Sequence, residues 1–276
     1  MQRRFVCLFL LSTVLLAAPP ARLEPNPGRA GLDPAALAHI RARLTEAVDK
    51  GLIPGAVTLI ARRGAVASVE AVGYQDLEAK TPIRPDTIFQ IMSMTKPITA
   101  VGIMILAEEG RIALSDPLEK YLTEFRGQWL LVEEKDSQRT LKKPSRPINL
   151  RDLLTHTSGL PEYPPEGARE VYTKGHLSLA ELTLVNSQLP LLFEPGTKWQ
   201  YSNPGIAALG RVIEVVSGQT YEDFLAKRIF EPLGMTDSFF FPDRRKDVHA
   251  RIAKVYFRNE GKLAEAGKVN GMNHLR

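Results

Sequence analysis

A long apolar stretch over residues 89–107 most constrains the fold of this chain. It is long enough to form a helix with a largely buried surface. Burying such a helix requires a sizeable core, and a chain of 276 residues with 44% hydrophobic content can build one. The sequence therefore predicts a globular chain with this helix in its interior.

The start of the predicted helix carries a hydroxyl and an amine three residues apart, in Ser93-Met94-Thr95-Lys96. A serine in the first turn and a lysine one turn later share one face of a helix. In a cleft, the positive end of the helix and the loss of hydration favour the neutral amine, which can take the proton from Ser93 Oγ. The pattern predicts a nucleophile and its proton acceptor. The alternative is a serine that caps the helix beside an exposed lysine.

A second pattern, Tyr201-Ser202-Asn203, also fits acyl transfer. A phenol can carry a proton between a nucleophile and a leaving group, and an asparagine amide can hold both a lysine and a substrate carbonyl. Two alternatives remain for these residues. Tyr201 can be a core tyrosine whose hydroxyl finds a backbone partner, and Asn203 can cap a helix that Pro204 opens.

With these motifs the chain resembles the serine β-lactamase-related superfamily of class C β-lactamases, D-Ala-D-Ala carboxypeptidases and β-lactamase-like carboxylesterases. Three further segments resemble family signatures in the same order, at residues 153–160, 193–205 and 231–235. The resemblance runs from about Leu32 to Met235, and the residues that follow are compatible with a family hairpin. Several separate matches in one order make the resemblance specific.

The resemblance implies the roles of the site residues. Ser93 would be the nucleophile, Lys96 and Tyr201 would be catalytic proton carriers, and Asn203 would bind substrate. The reaction implied is hydrolysis through a Ser-bound acyl-enzyme, with a β-lactam, a D-Ala-D-Ala peptide or a carboxylester as substrate and no cofactor. A loop over residues 127–147 resembles the carboxylesterase branch.

The implied fold class is α+β, of the β-lactamase/transpeptidase type. An antiparallel sheet flanked by helices would carry an inserted all-helical lobe, and the site would lie between the two. The sequence patterns divide the chain accordingly into an N-terminal helix and hairpin over residues 32–75, a helical lobe over about 86–235 and a late hairpin over about 250–266. Asp33-Pro34 predicts the start of the first helix, and Arg63-Gly64-Ala65 predicts the turn between strands over residues 56–62 and 66–73. The late hairpin is predicted with strands over residues 251–258 and 262–265. Mixed charges around Arg139, Lys142, Lys143 and Arg146 predict a solvated loop.

One departure from the family concerns its third motif, K-T-G or H-x-G, which lies downstream of Y-x-N. Neither form follows Asn203, and His274 is followed by Leu275 and Arg276. We therefore expect that the chain is C-terminally truncated relative to the family and that its sheet is incomplete. The alternatives to an active hydrolase are a non-catalytic peptidoglycan-binding or regulatory relative and an inactive fragment.

The N-terminus has the features of a signal peptide over residues 1–21, followed by one domain over residues 22–276. A positive start precedes an apolar run over residues 5–18 and small residues suited to cleavage. The run is short for a bilayer span, so we expect export to the periplasm or the exterior and no membrane span in the mature chain. An uncleaved N-terminal anchor is the alternative. Cys7, the single cysteine, lies in this segment.

Several other functions are disfavoured by the sequence. The net charge of +5 comes from basic residues interleaved with acidic ones, which predicts no nucleic-acid partner. A small molecule or peptide as the substrate is what the resemblance implies. The five histidines form neither H-E-x-x-H nor a close pair, so no metal is predicted. G-x-S-x-G is absent from the sequence, which disfavours an α/β-hydrolase. We interpret His156 as structural, and Phe193 and Trp199 as packing residues.

Overall fold

The computed structural model of the protein describes residues 24–136, 138–162, 177–259 and 261–266. The predicted signal peptide, Cys7 and His274 lie outside these residues, and the boundary between leader and domain stays a prediction. Helices combine with antiparallel sheets in the described part, which confirms the α+β class. No helix in that part is both long and apolar enough to cross a bilayer.

Two helices precede the sheet, α1 (Pro27–Ala30) and α2 (Pro34–Asp49). Asp33 caps α2, because its side chain accepts a hydrogen bond from the Ala35 N–H at 2.9 Å, and Pro34 supplies a fixed φ at the first helical position. The N-terminal helix predicted from this start signal is confirmed.

The sheet has three antiparallel strands in chain order, β1 (Gly55–Arg62), β2 (Ala65–Asp76) and β3 (Thr81–Pro82). Arg63 and Gly64 join β1 to β2 with φ angles of 54° and 68°. A two-residue turn with both φ angles positive matches the natural twist of a hairpin. The predicted hairpin is confirmed, and β2 runs three residues beyond its predicted end at Gly73.

A lobe dominated by helices follows the sheet. Its helices are α3 (Thr95–Glu108), α4 (Leu150–Leu154), α5 (Leu179–Ser187), α6 (Asn203–Ser217) and α7 (Tyr221–Leu225), and a π-helical turn over Ala226–Phe230 continues α7. As the apolar stretch predicts, α3 lies in the core, with Ile103 and Leu106 completely buried. Gly102 permits this packing, since a Cβ there would lie 2.9 Å from Ile213 Cδ1 on α6.

The solvated loop predicted from mixed charges is wrong for Arg139 and Lys142, which lie in an exposed hairpin of β4 (Leu130–Lys135) and β5 (Gln138–Lys142). Lys143 and Arg146 follow β5 and lie outside the strands, as predicted. The opposite charges pair across the strands, as Glu134 and Arg139 do at 2.9 Å. Leu130 anchors the base of the hairpin in the core. The lobe inserted in this fold is therefore helical with one solvated β-hairpin.

The late hairpin consists of β6 (Tyr256–Asn259) and β7 (Lys262–Glu265). Its first strand begins five residues later than predicted, because the segment from Arg251 bonds to Ile88 instead, with the Ala253 N–H donating to the Ile88 carbonyl. The Tyr256 hydroxyl donates to Glu78 at 2.6 Å. This contact joins the hairpin to the turn after β2.

The helical lobe buries many more side chains than the sheet and the helices beside it. The main core draws buried side chains from α3, α4, α6 and α7. Beside the sheet the buried cluster consists of Ala30, Ala65 and Ala67, and none of the 16 described residues of α2 is fully buried. The apolar core that supports the helix α3 is thus the core of the helical lobe.

Candidate active site

Ser93 lies in a 3₁₀ turn, Met92–Met94, that runs directly into α3. Met92 has a φ of 49°, in the left-handed region that a side chain such as methionine rarely adopts. Neither this turn nor α3 has a side-chain cap, so the alternative that Ser93 is a helix cap is wrong. The exposed Ser93 side chain is directed instead to Lys96 and Tyr201.

Lys96, in the first turn of α3, contacts each of the other predicted site residues. Its Nζ donates to Ser93 Oγ at 3.2 Å and to Asn203 Oδ1 at 2.6 Å. The same atom lies 4.6 Å from the centre of the Tyr201 ring. The half-buried Lys96 amine therefore joins the two sequence motifs.

The Tyr201 hydroxyl donates a hydrogen bond to Ser93 Oγ at 2.7 Å. Tyr201 is half-buried, so the alternative of a core tyrosine is wrong. Burial by itself raises the pKa of this phenol, but interactions with Lys96 and Ser93 outweigh burial and lower the pKa below its ordinary value. The negative charge of Glu162 opposes that shift.

Asn203 is the first residue of α6, and the residue before it provides the cap. Ser202 Oγ is buried and accepts a hydrogen bond from the Gly205 N–H at 3.1 Å. The alternative that Asn203 caps this helix is therefore wrong. Because Ser202 satisfies the helix terminus, the Asn203 side chain is available to Lys96.

Glu162 is a site residue that the sequence patterns missed. Its Oε2 accepts the Asn203 backbone N–H at 2.9 Å, and its Oε1 accepts Asn203 Nδ2 at 2.5 Å. A single acidic residue in a loop rich in proline carries no motif, so nothing in the sequence distinguishes it from a solvated charge. The contact also directs the amide nitrogen of Asn203 to Glu162, where the sequence had suggested a substrate carbonyl.

His156 packs against the Tyr201 ring, which agrees with the interpretation of His156 as a structural residue. The two rings are tilted by 31° with centres 4.8 Å apart, and His156 Nδ1 accepts the Ser202 N–H at 3.2 Å. Burial and then the charge of Lys96 lower the pKa of His156, which favours its neutral form.

The two aromatic residues near the site differ in exposure. Phe193 is buried, as predicted for a packing residue. The same prediction for Trp199 is wrong, because 68% of that residue is exposed; its ring lies edge-on to His156. The described residues contain no cluster of three or more His, Cys, Asp or Glu suited to a metal ion.

An α+β fold in which a Ser-x-x-Lys pair at the start of a buried helix meets a Tyr-x-Asn pair at the start of a second helix is that of the serine β-lactamase-related superfamily. Residues 40–268 match the Beta-lactamase family, and the chain belongs to this family. The match extends past the turn near Met235 and includes the late hairpin.

Similar proteins include esterases. The chain is 36% identical to Esterase EstB of Burkholderia gladioli over 76% of its own length and 55% of the relative's. It is 35% identical to lovastatin esterase of Penicillium rubens, covering 80% of this chain and 57% of that protein. Among solved structures, EstCE1, a hydrolase with promiscuous acyltransferase activity, superposes with a TM-score of 0.71 at 30% identity and covers 84% of this chain and 59% of that one. The chain thus spans about half the length of the curated relatives it matches.

Proposed function

We propose that this protein is a serine hydrolase that forms an acyl-enzyme on Ser93, with carboxylesters as the favoured substrates. One observation carries the proposal, the unbroken series of hydrogen bonds that joins Tyr201, Ser93, Lys96 and Asn203 at 2.7, 3.2 and 2.6 Å. A hydroxyl held between two groups that exchange protons is the arrangement that activates a nucleophile. The proposed acylation and deacylation of Ser93 use no cofactor.

Acylation begins when Lys96, as the free amine, takes the proton from Ser93 Oγ. The serine oxygen bonds to the substrate carbonyl carbon, and the carbonyl electron pair moves to its oxygen, which the Ser93 N–H binds. The oxyanion then re-forms the carbonyl as the bond from carbon to the leaving oxygen breaks, and Tyr201 donates its proton to that oxygen. The products of this half-reaction are a free alcohol and an ester on Ser93.

Deacylation reverses these roles with water. The Tyr201 phenolate takes a proton from a water molecule whose oxygen attacks the Ser93 ester, and Lys96 returns a proton to Ser93 Oγ as the acyl group leaves as a carboxylic acid. In the structure Lys96 Nζ lies 3.2 Å and the Tyr201 hydroxyl 2.7 Å from Ser93 Oγ, within the hydrogen-bond reach that proton transfer requires.

We propose esters as the favoured substrates because of the similar proteins and of the β4–β5 hairpin. Two of the similar proteins are named esterases, and the segment that resembles the carboxylesterase branch contains β4 and β5. Another relative, at 30% identity, is penicillin-binding protein 4* of Bacillus subtilis, so β-lactams belong in the test. From the leader we propose that the protein acts outside the cytoplasm.

The test is the intact mass of the protein after separate incubation with a fluorophosphonate and with a penicillin. We expect one fluorophosphonate adduct that is absent in Ser93→Ala and present in the control Ser238→Ala. An adduct with penicillin as well would widen the substrate class to β-lactams, and a stable adduct without turnover of any ester would favour a binding relative. A folded protein that forms no adduct would refute the proposal.

A further inference from the structure

The strongest unassigned feature is the double contact between Glu162 and Asn203. Glu162 accepts two hydrogen bonds from this residue, one from its backbone N–H and one from its side-chain amide. The other end of that amide, Oδ1, accepts from Lys96 Nζ at 2.6 Å. Glu162 is thus one residue removed from the amine that contacts Ser93.

The chemistry of the groups determines which way the Asn203 amide points. An ionised carboxylate can only accept hydrogen bonds, and the Lys96 nitrogen donates one to the amide oxygen whether it is an amine or an ammonium. An amide between the two satisfies both in a single orientation, with its nitrogen toward Glu162 and its oxygen toward Lys96. The reversed amide would oppose its oxygen to a Glu162 oxygen, leaving the carboxylate without this donor, and would withdraw the amide oxygen from Lys96 Nζ.

We propose that Glu162 is a positioning residue that fixes the orientation of the Asn203 amide and thereby holds Lys96 Nζ against Ser93. This inference rests on the proposed function for its effect on catalysis. Among the residues that the structure describes, the charged and titratable groups at the Asn203 end of the site are Glu162, Lys96, Tyr201 and His156. Glu162 is the one that lies in neither sequence motif and bonds to both the backbone and the side chain of Asn203.

A purely structural role for Glu162 makes a different prediction. A carboxylate that accepts a backbone N–H at the start of α6 also stabilises the helix, because the helix terminus is positive. Glu162→Gln separates the two roles. The glutamine oxygen can still accept the backbone N–H, but its amide nitrogen then faces Asn203 Nδ2, and two donors oppose each other. The Asn203 amide must rotate, and its oxygen leaves Lys96.

The kinetic test compares Glu162→Gln with the wild type on p-nitrophenyl acetate, at a temperature where both are folded. We expect kcat to fall 10- to 100-fold with KM within about twofold, as for a misplaced catalytic group rather than lost binding. The matched control is Glu181→Gln, which changes another carboxylate that accepts a backbone N–H at a helix start. Its kcat should equal that of the wild type. A wild-type kcat in Glu162→Gln would overturn the proposal.

A second measurement does not depend on turnover. In ¹⁵N-labelled protein the side-chain amide signal of Asn203, assigned by its loss in Asn203→Ala, should move in Glu162→Gln and stay in place in Glu181→Gln. If the wild type hydrolyses nothing and forms no fluorophosphonate adduct, the proposed function fails, and this signal alone decides the positioning of Asn203. A signal that is unchanged in Glu162→Gln would overturn it.

Discussion

At the scale of single residues, opposing influences on Tyr201 set its acidity. Burial raises the pKa of the phenol, and the negative charge of Glu162 acts in the same direction. Lys96 and Ser93 lower it, and together they outweigh the other two. The proposed role of Tyr201 as a proton carrier benefits from this balance, because the phenolate forms closer to neutral pH.

We expect Tyr201 to lose its proton at a lower pH than free tyrosine, whose pKa is about 10. The near-ultraviolet absorbance of phenolate, taken as wild type minus Tyr201→Phe, measures this titration. In Lys96→Met the pKa of Tyr201 should rise, since the lowering cation is gone and burial remains. Tyr221 and Tyr256, whose pKa burial raises to about 12, titrate later and serve as internal references. A wild-type Tyr201 pKa above 10 would contradict this account.

The sequence predicted which residues meet but not what holds them. Ser93, Lys96, Tyr201 and Asn203 follow from two short motifs, since each motif fixes spacing and residue type. Their catalytic roles stay predictions. Glu162 could not be predicted, because its contact depends on how a loop returns to the start of α6, which no local pattern encodes. The left-handed backbone of Met92 is likewise imposed by the turn and not by the residue's own preference.

At the scale of elements, α4 depends on a buried charge. Asp152 is 4% exposed and accepts two hydrogen bonds from the Arg146 guanidinium, at 2.6 and 2.9 Å. Asp152 and Asn149 also form a reciprocal capping box, each side chain accepting the other's backbone N–H at 2.9 Å. The helix that leads to His156 is thus fixed at its first turn.

Arg146→Ala should lower the free energy of unfolding by about 2–3 kcal/mol, because it leaves the buried Asp152 carboxylate without its cation. Urea unfolding measures the change. Arg139→Ala is the matched control from the same basic segment. Its partner Glu134 is 48% exposed, and exposed pairs contribute about 0–1 kcal/mol. Equal effects of the two substitutions would show that burial of Asp152 does not matter.

The sequence predicts helices and strands well where the hydrophobic periodicity agrees with the cap and turn residues. Asp33-Pro34 gave the start of α2, and Arg63-Gly64 gave the turn between β1 and β2. The β4–β5 hairpin was missed because alternating charges on a solvated strand look like a loop when the partner strand is unknown. The first strand of the late hairpin is shorter than predicted, because Arg251 and Ala253 bond to Ile88 instead of to the partner strand. This contact is between segments far apart in the sequence, so no local pattern predicts it.

At the scale of the whole molecule, the distribution of buried side chains predicts unequal local stability. The core lies in the helical lobe, whereas the sheet and α2 cover a small cluster of alanines. Backbone amides with few buried apolar neighbours exchange faster, because the local opening that exposes them to solvent costs less free energy.

Hydrogen exchange followed by mass spectrometry should therefore show slower exchange in α3 and α6 than in β1 and β2. Leu209→Ala, at a fully buried position of α6, should cost about 2–5 kcal/mol and speed exchange throughout the lobe. Leu37→Ala on the half-buried face of α2 should cost less and act locally. Uniform exchange across both parts would contradict this division.

The hydrogen bonds at Ser93 and Asn203 join residues that are 108, 107 and 41 positions apart in the chain. Contacts of such high contact order form only after the intervening loops have closed, and they lag behind local helix formation during folding. We therefore expect the hydrogen bonds at Ser93 to form late on the folding pathway. Under the proposed function, labelling of Ser93 by a fluorophosphonate would report complete folding of the lobe, which helix content alone does not.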